Sequence, residues 1–162
     1  MRMRLLLGML LLAALFSGCD GMMCVDVVDN FTLRQLTFDA AGSTLTVAGD
    51  SSASYCTGSG EAPYRGVVAT INTTTGAITA SVTPSSDRNF PLPESTGEML
   101  FRGAFSSRMC RTCELTMHTS TGLELRIPAE QTEGLVLSVA RGSDVVGVYQ
   151  FGVGHAERLS GP

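Results

Sequence analysis

After a first apolar stretch, the chain carries apolar side chains at every second position in short runs. Leu36 and Phe38 alternate with threonine and aspartate, and the same spacing returns at Leu123, Leu125 and Ile127. A period of two places successive side chains on opposite faces of a β-strand. Each run therefore predicts a strand that buries one of its faces.

Turns rich in glycine, threonine and serine separate these runs. The strands on either side of them predict hairpins over residues 36–47 and 67–82, with further turns at residues 120–122 and 141–144. No long window after the first apolar stretch has helical periodicity. The chain therefore predicts an all-β domain, an antiparallel β-sandwich or small barrel of about eight to ten short strands.

The first apolar stretch has the organisation of an export signal. Arg2 and Arg4 form a basic tip, residues 5–16 are an unbroken apolar run, and Ser17 and Gly18 supply the small residues of a cleavage site. A bilayer span needs about 20 apolar residues, which is more than this run provides. The stretch therefore predicts a secretory signal peptide, residues 1–18, that is removed from the mature protein.

Cys19 follows the small residues directly, and this junction resembles that of bacterial lipoprotein precursors. The resemblance covers the first 20 residues, and it departs from the usual pattern at Phe16, where leucine is common. It implies that Cys19 is lipid-modified and becomes the mature N-terminus, anchored to a membrane of the cell envelope and facing the periplasm or the exterior. A plain secreted protein and an uncleaved anchor are the alternatives.

The rest of the chain then divides into two parts. Residues 19–32 read as a lipid-anchored tether, and residues 33–162 read as a single all-β domain. A domain of this length is large enough to bury a core of its own.

Four cysteines remain when Cys19 is set aside, namely Cys24, Cys56, Cys110 and Cys113. An even number of cysteines outside the cytoplasm predicts two disulfides, with three connectivities open. We prefer Cys24 with Cys56, which would fix the tether onto the domain, and Cys110 with Cys113, which would close the tip of a hairpin that turns after residue 106.

A redox or metal site at Cys110 and Cys113 is the sharper alternative. Redox pairs of this spacing normally open a helix whose N-terminus lowers the thiol pKa, whereas a strand pattern follows Cys113. Zinc would need further ligands, and only the isolated His118 and His155 are available. We therefore expect no metal and no cofactor.

Acidic groups exceed basic ones in the mature chain. All eleven basic residues are arginine, and removal of Arg2 and Arg4 leaves a formal charge of 9 − 15 = −6. An acidic surface repels phosphate backbones, so we expect no nucleic-acid partner. No base, nucleophile and orienting group stand in a recognisable pattern, so we do not expect an enzyme.

Two connections, residues 49–66 and 83–97, are longer than a hairpin needs. In the second, Phe90 and Leu92 stand beside Pro91 and Pro93. Prolines would preorganise these side chains as an apolar edge for a partner. The alternative is that both side chains fold down as a plug over an open end of the sandwich, which is the commoner fate of an apolar loop residue.

These features together predict a lipid-anchored envelope protein that acts as a binding or interaction module for an envelope protein or a small ligand. A thiol-redox or metal-responsive lipoprotein that uses Cys110 and Cys113 is one alternative. A structural subunit of an envelope assembly is another.

The anchor is tested by labelling intact cells with palmitate. We expect the wild-type protein to take up the label and to sediment with membranes, since two acyl chains suffice for stable anchoring. Cys19→Ser should lose both properties, whereas Cys24→Ser should keep both. Membrane association of an unlabelled Cys19→Ser chain would reject the anchor.

Overall fold

A computed structural model describes residues 27–55, 65–84, 90–106, 113–131 and 134–162. The predicted signal peptide and the cysteines at positions 19, 24, 56 and 110 lie outside these ranges. No helix in the described ranges has the length and hydropathy needed to cross a bilayer. The described residues form ten strands: β1 (Val27–Phe38), β2 (Thr44–Tyr55), β3 (Arg65–Asn72), β4 (Ile78–Pro84), β5 (Glu98–Ser106), β6 (Leu115–His118), β7 (Leu123–Ile127), β8 (Leu135–Arg141), β9 (Asp144–Gly152) and β10 (His155–Ser160).

The strands form two antiparallel sheets of five strands each. The first sheet has the order β4-β3-β2-β1-β5, and the second has the order β10-β9-β8-β7-β6. The second sheet is a simple meander. In the first sheet, β4 and β5 follow each other in the chain but form opposite edges, and β5 lies beside β1. This architecture confirms the predicted all-β class and favours the sandwich over the small barrel.

The hydrophobic core fills the space between the two sheets. Phe31 on β1 meets Phe151 on β9 with ring centroids 5.4 Å apart and the rings tilted by 38°. Contacts of this kind bury the apolar face of every central strand, which is the main favourable term in folding. The core residues that are buried are Phe31, Leu33, Leu36, Phe38, Leu45, Val47, Val67, Ala69, Ile71, Leu123, Leu125, Ile127, Leu135, Leu137, Val139, Tyr149 and Phe151.

The predicted hairpins have the register that the alternation indicates. Leu36 pairs with Val47 in the first hairpin, and Val67 pairs with Val82 in the second. A glycine with positive φ closes the turn after β1, at Gly42, and the turn after β3, at Gly76. We call the end of the sandwich that carries these turns, together with residues 119–122 and 141–144, the turn end.

Three strand boundaries and one strand pairing differ from the sequence-based expectations. β1 begins at Val27 and not at residue 33, because the last part of the predicted tether pairs with the far half of β2. Residues 51–55, expected in a loop, belong to β2, and residues 155–160 form β10. The hairpin expected between β5 and β6 is wrong, because β5 pairs with β1 and β6 pairs with β7.

Tyr149 ties the two sheets together at the turn end. Its side chain is fully buried on β9, and its hydroxyl donates a hydrogen bond of 2.9 Å to the backbone oxygen of Gly76, in the turn between β3 and β4. Burial raises the pKa of the Tyr149 hydroxyl, and the nearby Arg158 opposes that rise. The neutral hydroxyl is therefore the form that the fold requires.

Replacement of Tyr149 by phenylalanine should destabilise the protein. The variant leaves the Gly76 oxygen without its partner, which costs about 1–3 kcal/mol in the free energy of unfolding measured with urea. A raised pKa in the folded state contributes stability below the ordinary value of 10.0, and that stability is lost as the pH rises through the folded pKa.

The difference in stability between wild type and Tyr149→Phe should therefore shrink at alkaline pH. The variant serves as its own control, since every other titrating group is common to both chains. A difference that stays constant as the pH is raised past the ordinary tyrosine pKa would contradict the role of the buried hydroxyl.

Candidate functional site: the cleft between β5 and β6

The two open sides of the sandwich are built differently. On one side the edge strands β4 and β10 lie against each other. On the other side the start of β5 is held to the turn before β7 by Glu98, whose carboxylate accepts hydrogen bonds from the Ser120 backbone nitrogen at 3.1 Å and from the Ser120 hydroxyl at 2.8 Å. Further from the turn end, β5 and β6 are separated by a cleft.

The cleft has a volume of about 390 Å³ and lies between the end of β5 and the start of β6. It is lined by residues 104–106, by residues 113–115 and by Thr32 of β1. Phe105 and Leu115 form apolar walls that continue into the core. The volume falls in the range of about 300–1,000 Å³ that is typical of small-molecule sites. We call this feature the β5–β6 cleft and the end of the sandwich that bears it the cleft end.

Among the described residues that line the cleft, Glu114 carries the charge, and it belongs to an ion pair. Glu114 lines the cleft, and its carboxylate accepts a hydrogen bond from the Arg126 guanidinium. That hydrogen bond holds the pKa of Glu114 below its ordinary value and raises the pKa of Arg126. Both side chains are about half exposed, so the pair contributes little to stability. The cleft thus has apolar walls, with hydroxyl groups and a carboxylate that is already paired at its rim. Such a surface suits the binding of an apolar group.

Cys113 also lines the cleft, and its sulfur is disulfide-bonded. The other cysteines lie outside the described residues. The pairings of Cys24 with Cys56 and of Cys110 with Cys113 therefore stay predictions, and so does a redox or metal role for the last two.

The two histidines are separated in the fold. His118 is exposed at the end of β6, and His155 begins β10. In the part of the chain that the structure describes, no three histidine, cysteine, aspartate or glutamate residues come close enough to hold a metal ion.

Phe90 and Leu92 lie in a segment that runs along the outer face of the first sheet. The Phe90 ring sits directly over Gly66 of β3, where an added Cβ would come within 2.7 Å of the ring. The backbone oxygen of Pro93 accepts a hydrogen bond of 3.0 Å from the Gln35 amide on β1. We call residues 90–97 the strap, since they cross from β3 to β1 before β5 begins.

The position of the strap can be compared with the two interpretations of Phe90 and Leu92, an apolar edge for a partner and a plug over an open end of the sandwich. Phe90 and Leu92 are both partly buried, so each side chain is partly withdrawn from solvent. Phe90 packs, as the plug interpretation requires, but it packs on the outer face of the sheet and not over an open end. Binding of a partner through Phe90 and Leu92 stays a prediction.

A polar row on β1 is buried on this outer face. Gln35 is fully buried, and its amide nitrogen donates to the Thr37 hydroxyl at 2.9 Å as well as to Pro93. The Pro93 oxygen can only accept, which fixes the orientation of the Gln35 amide. The strap thus supplies a second acceptor, beside the Thr37 hydroxyl, for the amide nitrogen of a buried side chain.

Comparison of the chain with protein-family models, with curated proteins and with solved structures returned no significant match. The interpretation of the cleft therefore rests on its own geometry.

No motif in the sequence marks Phe105 or Leu115 as part of a site. Both stand at positions in the alternation that are typical of core residues. The hairpin expected between β5 and β6 would also have paired the two strands and left no cleft between them. The only signal in the sequence was the long separation between the last apolar residue of β5 and the first of β6, which a hairpin tip does not need.

Gly66→Ala should destabilise the protein, because its methyl group would meet the Phe90 ring. Overpacking of this kind costs about 1–3 kcal/mol in the free energy of unfolding. In a Phe90→Ala background the same change should be neutral or stabilising, since alanine otherwise suits a strand better than glycine. Equal effects of Gly66→Ala in both backgrounds, measured by urea unfolding, would show that the strap does not rest on Gly66.

Proposed function

We propose that the protein is a lipid-anchored binding module of the bacterial cell envelope and that the β5–β6 cleft is its binding site. The anchor would be the lipid on Cys19, with the domain facing the periplasm or the exterior. Disulfides between Cys24 and Cys56 and between Cys110 and Cys113 would suit this oxidising location. The partner would be an apolar group of an envelope protein or of a small ligand.

One observation carries the proposal, which is the unequal closure of the sandwich. In the described part of the chain, β4 and β10 close one side, while the other side has an apolar cleft whose walls, Phe105 and Leu115, are continuous with the core. A sandwich that only needed stability would gain by closing both sides, because exposed apolar surface costs free energy. An apolar concavity of this volume is the usual form of a small-molecule site.

The edge strands that border the cleft favour side-chain recognition over strand addition. The pairing of β5 with β1 is irregular at two places, and β6 has only four residues. Irregular and short edges discourage the pairing of a further strand. A ligand would therefore be held mainly by the apolar walls and by hydroxyl groups such as that of Ser106.

An uncharged fluorescent probe, N-phenyl-1-naphthylamine, tests the cleft. The mature chain with Cys19→Ser should bind it, because the walls offer apolar surface removed from water. Ala104→Trp fills the cleft from the β5 side and should weaken binding about tenfold, the loss of roughly 1.4 kcal/mol of binding free energy.

The matched control is Ser81→Trp, which places the same side chain on an exposed position of β4 away from the cleft. It should leave the dissociation constant of the probe unchanged. Equal affinity in the two tryptophan variants would reject the β5–β6 cleft as the binding site.

A further inference from the structure

The β5–β6 cleft lies at the end of the sandwich where the chain enters β1. Thr32 lines the cleft five residues after Val27, at which β1 begins. A strand rises about 3.4 Å per residue in an antiparallel sheet, so the mouth of the cleft is roughly 17 Å along β1 from its first residue. The segment that precedes β1 therefore starts at the same end of the sandwich as the cleft, about 17 Å from its mouth.

The length of that segment is sufficient to bring Cys19 to the cleft. Eight residue steps separate Cys19 from Val27, and an extended chain spans at most about 3.3–3.6 Å per residue, or roughly 26–29 Å in all. This reach exceeds the distance between Val27 and the mouth of the cleft. A group attached to Cys19 can fold back along β1 and enter the cleft.

We infer that one acyl chain of the lipid on Cys19 occupies the β5–β6 cleft while the protein is outside a membrane and leaves it when the anchor inserts. The inference rests on the proposed function, because it requires both the lipid on Cys19 and the cleft as a binding site. It adds the regulation of that site by the protein's own anchor.

The charge of the cleft favours this occupant over a free fatty acid or a phospholipid. Among the described lining residues the only ionisable side chain is the acidic Glu114, and Arg126 already neutralises it. Among these described lining residues, a carboxylate or phosphate head group would find no cationic side chain to pair with. A thioether-linked diacylglyceryl group with an amide-linked chain is neutral, and its acyl chains match the apolar walls of Phe105 and Leu115.

The exchange between cleft and membrane follows from the hydrophobic effect. Each methylene withdrawn from water raises the binding constant roughly fourfold, so an acyl chain in aqueous solution gains by entering the cleft. A bilayer offers the same gain to all chains of the lipid at once and therefore withdraws the chain from the cleft. The cleft is thus occupied in transit and open to ligands once the protein is anchored.

The experiment uses the mature chain, residues 19–162, prepared without lipid. Cys19 is alkylated either with a long-chain alkyl maleimide or with N-ethylmaleimide, and mass mapping confirms that position 19 alone is modified. N-phenyl-1-naphthylamine then reports the free cleft. The long chain should raise the dissociation constant of the probe at least about tenfold over N-ethylmaleimide.

A matched control moves the alkyl chain to the turn end. Ser143→Cys in the Cys19→Ser background carries the same long-chain maleimide in the exposed turn between β8 and β9. The dissociation constant of the probe should then stay within about twofold of its value for the unmodified chain. The reason is that residue 143 lies at the turn end, away from the cleft. Unchanged probe affinity of the Cys19 adduct overturns the inference, and so does an equal loss in both adducts, because it would show insertion between molecules.

Failure of the inference and failure of the proposed function are separated by two measurements. A Cys19→Ser chain that does not bind the probe rejects the cleft as a binding site and the inference with it. A mature protein from cells whose mass lacks lipid at Cys19 rejects the anchor. Probe binding by Cys19→Ser together with native lipidation, but without competition by the alkyl chain, overturns the inference alone.

Discussion

The first sheet depends on one extra residue in β1, the inner strand that lies between β2 and the edge strand β5. The pairing of β1 with β2 and the pairing of β1 with β5 both shift between Leu33 and Gln35. Phe31 and Leu33 face the core before the shift, and Leu36 and Phe38 face it afterwards. Because side chains alternate between the two faces, a regular strand would place one of these pairs on the outside. The bulge lets a single strand bury both pairs.

The residue at the bulge is Arg34, and the fold uses its side chain. The Arg34 guanidinium lies 3.1 Å from the carboxylate of Asp50 on β2, which is almost completely buried. A buried carboxylate requires a partner, and Arg34 provides one across the strand pair. The position that resets the register of the sheet thus also neutralises a charge on its outer face, beside the row that the strap covers.

Part of this structure was readable from the sequence because alternation and turn chemistry are local. β3, β4, β7 and β8 have regular alternation between clear turns, and their hairpin partners follow directly. The start of β1 was missed because the parity of its apolar residues reverses at Arg34, which makes residues 27–32 look unrelated to Leu36 and Phe38. The placement of β5 beside β1 depends on a crossover, which no local pattern encodes.

The cleft and the resting place of the strap could not be derived for a related reason. Phe105 and Leu115 become neighbours only when their strands belong to different sheets, and core parity gives no sign of this. The strap rests on Gly66, whose missing side chain makes room for Phe90. A glycine in a strand is a weak signal on its own, and its meaning appears only with the ring above it.

The strap also has a consequence for the order in which the protein folds. The second sheet is a meander, so each of its pairings joins neighbouring segments and closes only a short loop. The contact between Gln35 and Pro93 joins positions 58 residues apart, and the edge of the first sheet forms with it. The entropy lost in closing a loop grows with its length, and non-local pairings slow folding. The second sheet and the hairpins of the first can therefore assemble early, while the seating of the strap and the docking of β5 on β1 form the late, slow step of folding.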